Sequence, residues 1–251
     1  MDVCEPPALP ATHETAHLKA VDAEALKRSA AEAAFAEVRS GMVLGLGTGS
    51  TVSHLLDLLG AALASGELRD IVGVPTSVRT EQHATRLAIP LVGLADRPRI
   101  DLTIDGADEV SPGLDLTKGA GGALLREKMV AQASERLLII ADEGKMVERL
   151  GTLRPLPVEV VSWGWKAHVA FLAGWGADAV LRTRADGRPV SSDNGQLFLD
   201  CRFEAGIEDP GGLEQALAAR AGVIETGLFL GLAHEALIAS RGGVVRMGRA
   251  R

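Results

Sequence analysis

Three segments of this chain carry residue types that could do chemistry. Gly45-Leu46-Gly47-Thr48-Gly49-Ser50-Thr51 links a short apolar run to a helix-periodic one. Free backbone N–H groups and the positive end of the helix dipole make such a junction an anion site. Ser50 and Thr51 add hydroxyl donors. It is not a dinucleotide fingerprint, because the third glycine would fall at Ser50, and no Gly-Lys-Ser/Thr follows to make a Walker A loop. A tight strand-to-helix turn is the plain alternative. Asp105-Gly106-Ala107-Asp108-Glu109 puts three carboxylates at the end of an apolar-alternating run. Crowded carboxylates are costly unless solvated or paired with a cation or ligand. Lys118-Gly119-Ala120-Gly121-Gly122 sets a lysine beside a flexible loop, where it can reach a phosphate or a polarised oxygen. Glu127 follows on the next helix, between Arg126 and Lys128. A capped acidic turn and a solvent-facing Arg-Glu-Lys cluster are the plain alternatives for these two.

Other signals are weaker. His13-Glu14-Thr15-Ala16-His17 matches H-E-x-x-H but sits in a proline-bearing stretch without a third ligand, so it reads as a chance match. The other histidines show no ligand spacing, and no metal site is expected. There is no G-x-S-x-G elbow for a serine hydrolase. Trp163, Trp165 and Trp175 read as core or interface residues.

The elements that must position these groups follow from periodicity. Residues 1–17 read as a mobile extension, followed by a helix over 18–39. Strands are expected at 42–46, 71–74, 89–94, 100–104 and 137–141. Helices are expected at 52–64, 77–87 and 122–135, with a polar, glycine-rich loop over 106–121. This alternation predicts an α/β fold, a Rossmann-like parallel sheet with helices on its faces. Further on, strands at 156–161, 179–182, 188–191, 197–203 and 223–226, with helices at 163–172 and 212–220, predict a smaller α+β lobe. Two strands around Arg241-Gly242-Gly243 close the chain. The expected division is a sheet domain over 18–152 plus 228–251 and a lobe over 153–227. In open α/β sheets ligands bind at the carboxyl ends of strands, where the first two segments fall.

Composition sets outer bounds. The chain has 251 residues, 47% hydrophobic and 24% charged, as expected for a globular protein. Its net charge of −7 argues against a nucleic-acid partner but allows a local basic pocket. No apolar run reaches the ~20 residues of a membrane span. No signal peptide is read, and Cys4 and Cys201 are too few for a disulfide framework, so a reduced, cytoplasmic protein is expected. With 3% aromatics and no Tyr, the core must be built from Ala, Leu and Val.

Taken in order, these segments closely resemble ribose-5-phosphate isomerase, type A. Leu125-Arg126-Glu127-Lys128, Leu156-Pro157-Val158-Glu159-Val160, Val74-Pro75-Thr76-Ser77, Asp193-Asn194-Gly195 and Thr226-Gly227-Leu228-Phe229 extend the likeness over about residues 20–247. Ala120, and Ser162-Trp163-Gly164-Trp165 after the Val-Glu-Val-Val run, depart from the family pattern. The resemblance implies an aldose–ketose isomerase of the pentose phosphate pathway that uses no cofactor and forms a homodimer or homotetramer. It implies Glu127 as the base, with Asp105, Asp108 and Lys118 as its catalytic partners. It also implies a sugar-phosphate site lined by Lys27, Thr48, Gly49, Ser50, Thr51, Asp105, Gly106, Ala107, Asp108, Lys118, Gly119, Ala120, Gly121 and Lys145.

The residue types suit that reaction. Isomerisation moves a proton between C1 and C2 through an enediolate, which one carboxylate can serve. Lys118 is the candidate for the developing oxyanion, and the non-reacting phosphate supplies positioning energy. The alternative is a sugar-phosphate sensor that binds without turnover. Such regulators carry an N-terminal helix-turn-helix, and no basic recognition helix is present here. A related hydrolase or deaminase would call for a histidine near these motifs.

Overall fold

The computed structural model describes residues 13–249, with 13–22 described by backbone alone. The first part of the expected extension, residues 1–12, lies outside the described residues. In chain order the first elements are α1 (His13–Phe35), β1 (Val43–Leu46), α2 (Ser50–Ser65), β2 (Val72–Pro75), α3 (Val78–Arg86) and β3 (Leu102–Asp105). Next come β4 (Glu109–Val110), β5 (Leu116–Thr117), α4 (Leu124–Gln132) and β6 (Leu137–Asp142). The chain continues with β7 (Leu156–Val160), α5 (Lys166–Ala173), β8 (Ala177–Leu181), β9 (Leu197–Phe203), α6 (Pro210–Ala218) and β10 (Val223–Thr226). It closes with β11 (Leu228–Phe229), β12 (Glu235–Ser240) and β13 (Gly243–Gly248). Helix α1 begins at His13, so residues 13–17 are helical rather than part of an extended tail.

The main sheet runs β13-β12-β6-β3-β1-β2. It is parallel except for β13, which folds back antiparallel on β12. Its parallel strands are short, mostly apolar runs because both faces are covered, as parallel sheets require, while the edge strand β13 is largely exposed. Alternation divides β6 between two cores. Leu138 and Ile140 pack with Leu44, Leu46 and the buried stripe of α2 (Val52, Leu55, Leu56, Leu59). Leu137 and Ile139 pack on the opposite side with Phe198 and Phe229. Ala30, Ala31 and Ala34 of α1 are fully buried in the first core, where small side chains let the helix lie close. Coverage of both faces also explains β3, whose Leu102, Thr103, Ile104 and Asp105 are all buried despite alternating polarity.

A second sheet, β10-β7-β9-β8, is antiparallel and packs on α5 and α6 around Val158, Leu172, Leu199, Leu213 and Leu217. The architecture is the expected α/β class, with three local corrections. Residues 89–94 form only one parallel bridge, Gly73 to Leu91, because Pro90 lacks the N–H a ladder needs. Residues 188–191 likewise make only isolated bridges. The stretch 106–121 is not loop throughout, since β4 and β5 pair antiparallel and β11 joins them in a small third sheet. Trp163 is 89% exposed and outside every core. No described helix is long and apolar enough to cross a membrane.

The order of strands fixes where a site can form. The chain leaves β1 for β2 on one side and returns to β3 on the other. The segments after β1 and β3 therefore flank the crevice at the carboxyl ends of the strands. The turn after β6 joins them, because β6 lies next to β3.

Candidate active site

The turn after β1 can lie against the end of β3 because Gly47 has no side chain. A Cβ there would lie 2.2 Å from Asp105 Oδ1 and 2.6 Å from Asp105 Cα. The close approach lets the Thr48 N–H donate to Asp105 Oδ1 at 3.0 Å, and the Gly106 N–H donates to the same oxygen at 2.7 Å. Asp105 Oδ2 faces Lys118 Nζ at 3.0 Å. The Lys118 ammonium also donates to the Gly106 carbonyl at 2.6 Å and lies 3.3 Å from Glu127 Oε1. Asp105, Lys118 and Glu127 are 1%, 3% and 4% exposed, so one cation sits between two carboxyl groups away from bulk water.

Glu127 lies in the first turn of α4. The Arg-Glu-Lys cluster is not a solvent-facing face: its members diverge. Arg126 Nε donates to Asn194 Oδ1 at 3.1 Å. Lys128 Nζ pairs with Glu225 at 2.6 Å beneath the helix. Glu127 points into the cluster with Lys118, and its Oε2 is buried without a hydrogen-bond partner. Burial outweighs the attraction of Lys118, and Asp105 adds repulsion, so the Glu127 carboxyl is pushed up to about 8. Burial works against the Lys118 ammonium, but Asp105 and then Glu127 override it and hold its pKa above the ordinary lysine value.

Above this cluster lies a cavity of about 370 Å³. Its wall includes Lys27, Thr48, Gly49, Ser50, Thr51, Gly106, Ala107, Asp108, Lys118, Gly119, Gly121, Glu127 and Lys145, which the sequence had singled out. Two expected residues do not line it. Asp105 lies underneath, its oxygens taken by Thr48, Gly106 and Lys118. Ala120 turns its N–H to Asp108 Oδ2 at 2.8 Å, which orients that carboxylate. Thr48 reaches the wall, but its hydroxyl belongs to a buried chain. It donates to Ser77 Oγ, Ser77 donates to Thr80 Oγ1, and Thr80 donates to the Gly47 carbonyl. That chain stiffens the loop ahead of α2.

The wall also holds Val52, Asp142 and Arg154, which the sequence had not flagged. Asp142 ends β6, so the strand-end rule could have found it. Arg154 stands in no motif and carried no signal. A larger depression of about 490 Å³ beside Val74, Leu91 and Met129 contains no buried ionisable cluster. Among the described residues no group of three or more His, Cys, Asp or Glu side chains is placed to hold a metal ion.

Comparison with known proteins identifies the family. Residues 72–243 match the model of ribose 5-phosphate isomerase A (phosphoriboisomerase A). The ribose-5-phosphate isomerase A of Chloroflexus aurantiacus is 51% identical, covering 88% of this chain and 92% of that protein. A probable chloroplastic ribose-5-phosphate isomerase of Arabidopsis thaliana is 47% identical over 90% of this chain and 83% of its own. A D-ribose-5-phosphate isomerase solved in complex with phospho-erythronic acid superimposes with a TM-score of 0.88 at 39% identity, covering 90% of this chain and 99% of its own. The ribose 5-phosphate isomerase of Plasmodium falciparum gives 0.87 at 36% identity, covering 91% and 100%. With this much of its length matched, the chain belongs to the ribose 5-phosphate isomerase A family.

Proposed function

We propose that this chain interconverts D-ribose 5-phosphate and D-ribulose 5-phosphate through an enediolate, in the non-oxidative branch of the pentose phosphate pathway. The observation that carries the reading is Glu127, a buried carboxyl with one oxygen near Lys118 and the other unpartnered, on the wall of a polar cavity.

At the reacting end, ionised Glu127 takes the proton from C2 of the open-chain aldose and returns it to C1. The electron pair left at C2 forms the C1–C2 double bond and drives charge onto O1. Lys118 neutralises that charge, in a setting where few solvent dipoles need to reorganise. Asp108, fixed by the Ala120 N–H, moves the hydroxyl proton from O2 to O1 and assists ring opening. Asp105 serves from below by holding Lys118 in place.

At the other end, the exposed N–H groups at the start of α2 (Ser50 and Thr51), with Lys27 and Lys145, receive the phosphate. Gly49, Gly106, Ala107, Gly119 and Gly121 form close backbone walls. The ligand of the solved relative, phospho-erythronic acid, joins a phosphate to a sugar acid and suits this division. A sensor would have no use for a raised, half-satisfied carboxyl beside a lysine, and the curated relatives are named as isomerases.

Proton NMR of ribose 5-phosphate with the protein in D2O and excess EDTA tests the reading. Ribulose 5-phosphate with deuterium at the exchangeable carbon supports it. Signal broadening without turnover supports the sensor and overturns it. We further infer a cytoplasmic homodimer or homotetramer, for which light scattering on the purified protein gives the mass.

A further inference from the structure

Glu109 and Arg154 have no part in the chemistry described so far. Glu109 is the last carboxylate of the Asp105–Glu109 segment, yet it is fully buried and does not line the cavity. The cause is strand alternation. Glu109 pairs with Thr117 across β4 and β5, while their neighbours Asp108 and Lys118 line the cavity. Glu109 therefore faces the other way, toward residues 151–154. Its Oε2 accepts from the Gly151 N–H at 2.5 Å and from Thr117 Oγ1 at 3.0 Å. Its Oε1 accepts from the Leu153 N–H at 2.6 Å and the Arg154 N–H at 3.1 Å. Three N–H groups of one turn, from Gly151, Leu153 and Arg154, wrap the carboxylate as a nest does, here inside the protein.

The nest fixes Arg154 from one side, and the following Pro155 restricts its backbone to extended conformations from the other. The Arg154 side chain is exposed, lines the same cavity as Lys27 and Lys145, and makes no ion pair with any described carboxylate. A guanidinium on a braced backbone, unpaired and facing a cavity that also holds Lys27, Lys118 and Lys145, is placed for an anion.

We propose that Arg154 is a third cationic contact for the substrate phosphate and that Glu109 is the positioning residue that holds it at the cavity mouth. The proposal rests on the isomerase reading only for the identity of the ligand. The contact is made equally in substrate and transition state, so its loss raises KM and leaves kcat nearly unchanged.

The test is steady-state kinetics with ribose 5-phosphate, and inhibition by inorganic phosphate, for wild type, Arg154→Ala and Arg154→Lys. Arg154→Ala should raise both KM and the phosphate inhibition constant by roughly fivefold to tenfold, with kcat within about twofold. Arg154→Lys should recover part of each. Unchanged KM and phosphate inhibition would overturn the proposal. A fall in kcat at constant KM would also overturn it, by moving Arg154 to the reacting end.

Glu109→Gln removes acceptor capacity from the nest and should raise KM in the same way, with Arg154→Ala adding little in that background. Equal, fully additive effects would remove Glu109 from the role. If Glu109→Gln does not fold, Pro155→Gly loosens the same loop and should raise KM alone; no change in KM there removes the bracing claim. If the wild type does not isomerise ribose 5-phosphate, the isomerase reading fails, but calorimetric binding of inorganic phosphate to wild type and Arg154→Ala still decides the role of Arg154.

Discussion

Lys118 Nζ lies 3.3 Å from Glu127 Oε1, while Glu127 Oε2 is buried with no partner at all. Half of the carboxyl is held and half is free to meet a ligand. The held half fixes the side chain, and the unpartnered half is the one the proposed proton exchange with carbon would use.

Removing the base should leave the rest of this arrangement intact. Glu127→Gln keeps shape and burial but cannot accept the C2 proton, so kcat should fall by roughly 10²–10⁴. Substrate KM should change little. Rapid-quench or coupled turnover assays together with binding of the substrate read the split, and near-normal turnover would show that another group is the base.

The raised Glu127 gives the activity a pH dependence. Only the ionised form accepts a proton, and the free protein holds its proton to about pH 8. The kcat/KM should therefore rise from pH 6 to pH 8 and level off above. A profile flat over that range in wild type would mean that Glu127 is already ionised in the free enzyme.

The same group links pH to stability. Folded Glu127 keeps a proton that the unfolded chain releases near the ordinary carboxylate value of 4.5. Its folded pKa is raised, so it favours folding below that value and loses the advantage as pH climbs toward about 8. Relative to wild type, Glu127→Gln should gain in Tm as pH rises from 5 to 8. Thermal unfolding at several pH values checks this, and a gap that narrows with pH contradicts it.

Lys118 is the only cation in contact with Asp105 and Glu127 among the described ion pairs. Lys118→Ala leaves two buried carboxyls facing one another and should cost about 3–5 kcal/mol at neutral pH, less under acid. It should also slow turnover and weaken substrate binding. Denaturant unfolding and kinetics measure the two effects separately.

Backbone proximity makes a further prediction. Gly47→Ala would drive a methyl into Asp105, including its Cα, so β1 and β3 must part. We expect a loss of about 1–3 kcal/mol and a larger loss of turnover, because Asp105 then no longer fixes Lys118. The comparable change at Gly49, where a Cβ meets nothing within 4 Å, is unfavourable only through its φ of 140° and should be milder in Tm.

The sequence alone determined the α/β class, the order of the main strands and helices, and most of the cavity wall. Class and element order depend on local period, whereas the wall was legible through the resemblance that segments such as 47–51, 105–108 and 118–121 carry in order. The tertiary structure decided which way each charge in those segments faces. Asp105 and Glu109 belong to one acidic run, but the break between β3 and β4 puts one on Lys118 and the other on the loop before β7. Arg126, Glu127 and Lys128 are neighbours in sequence, but helix rotation sends them to three different partners. Proline at position 90 overrode an apolar run that read as a strand. Arg154 has no motif to betray it, because its place depends on a buried carboxylate 45 residues away. Charge, burial and partner are properties of the assembled sheet, and no local pattern encodes them.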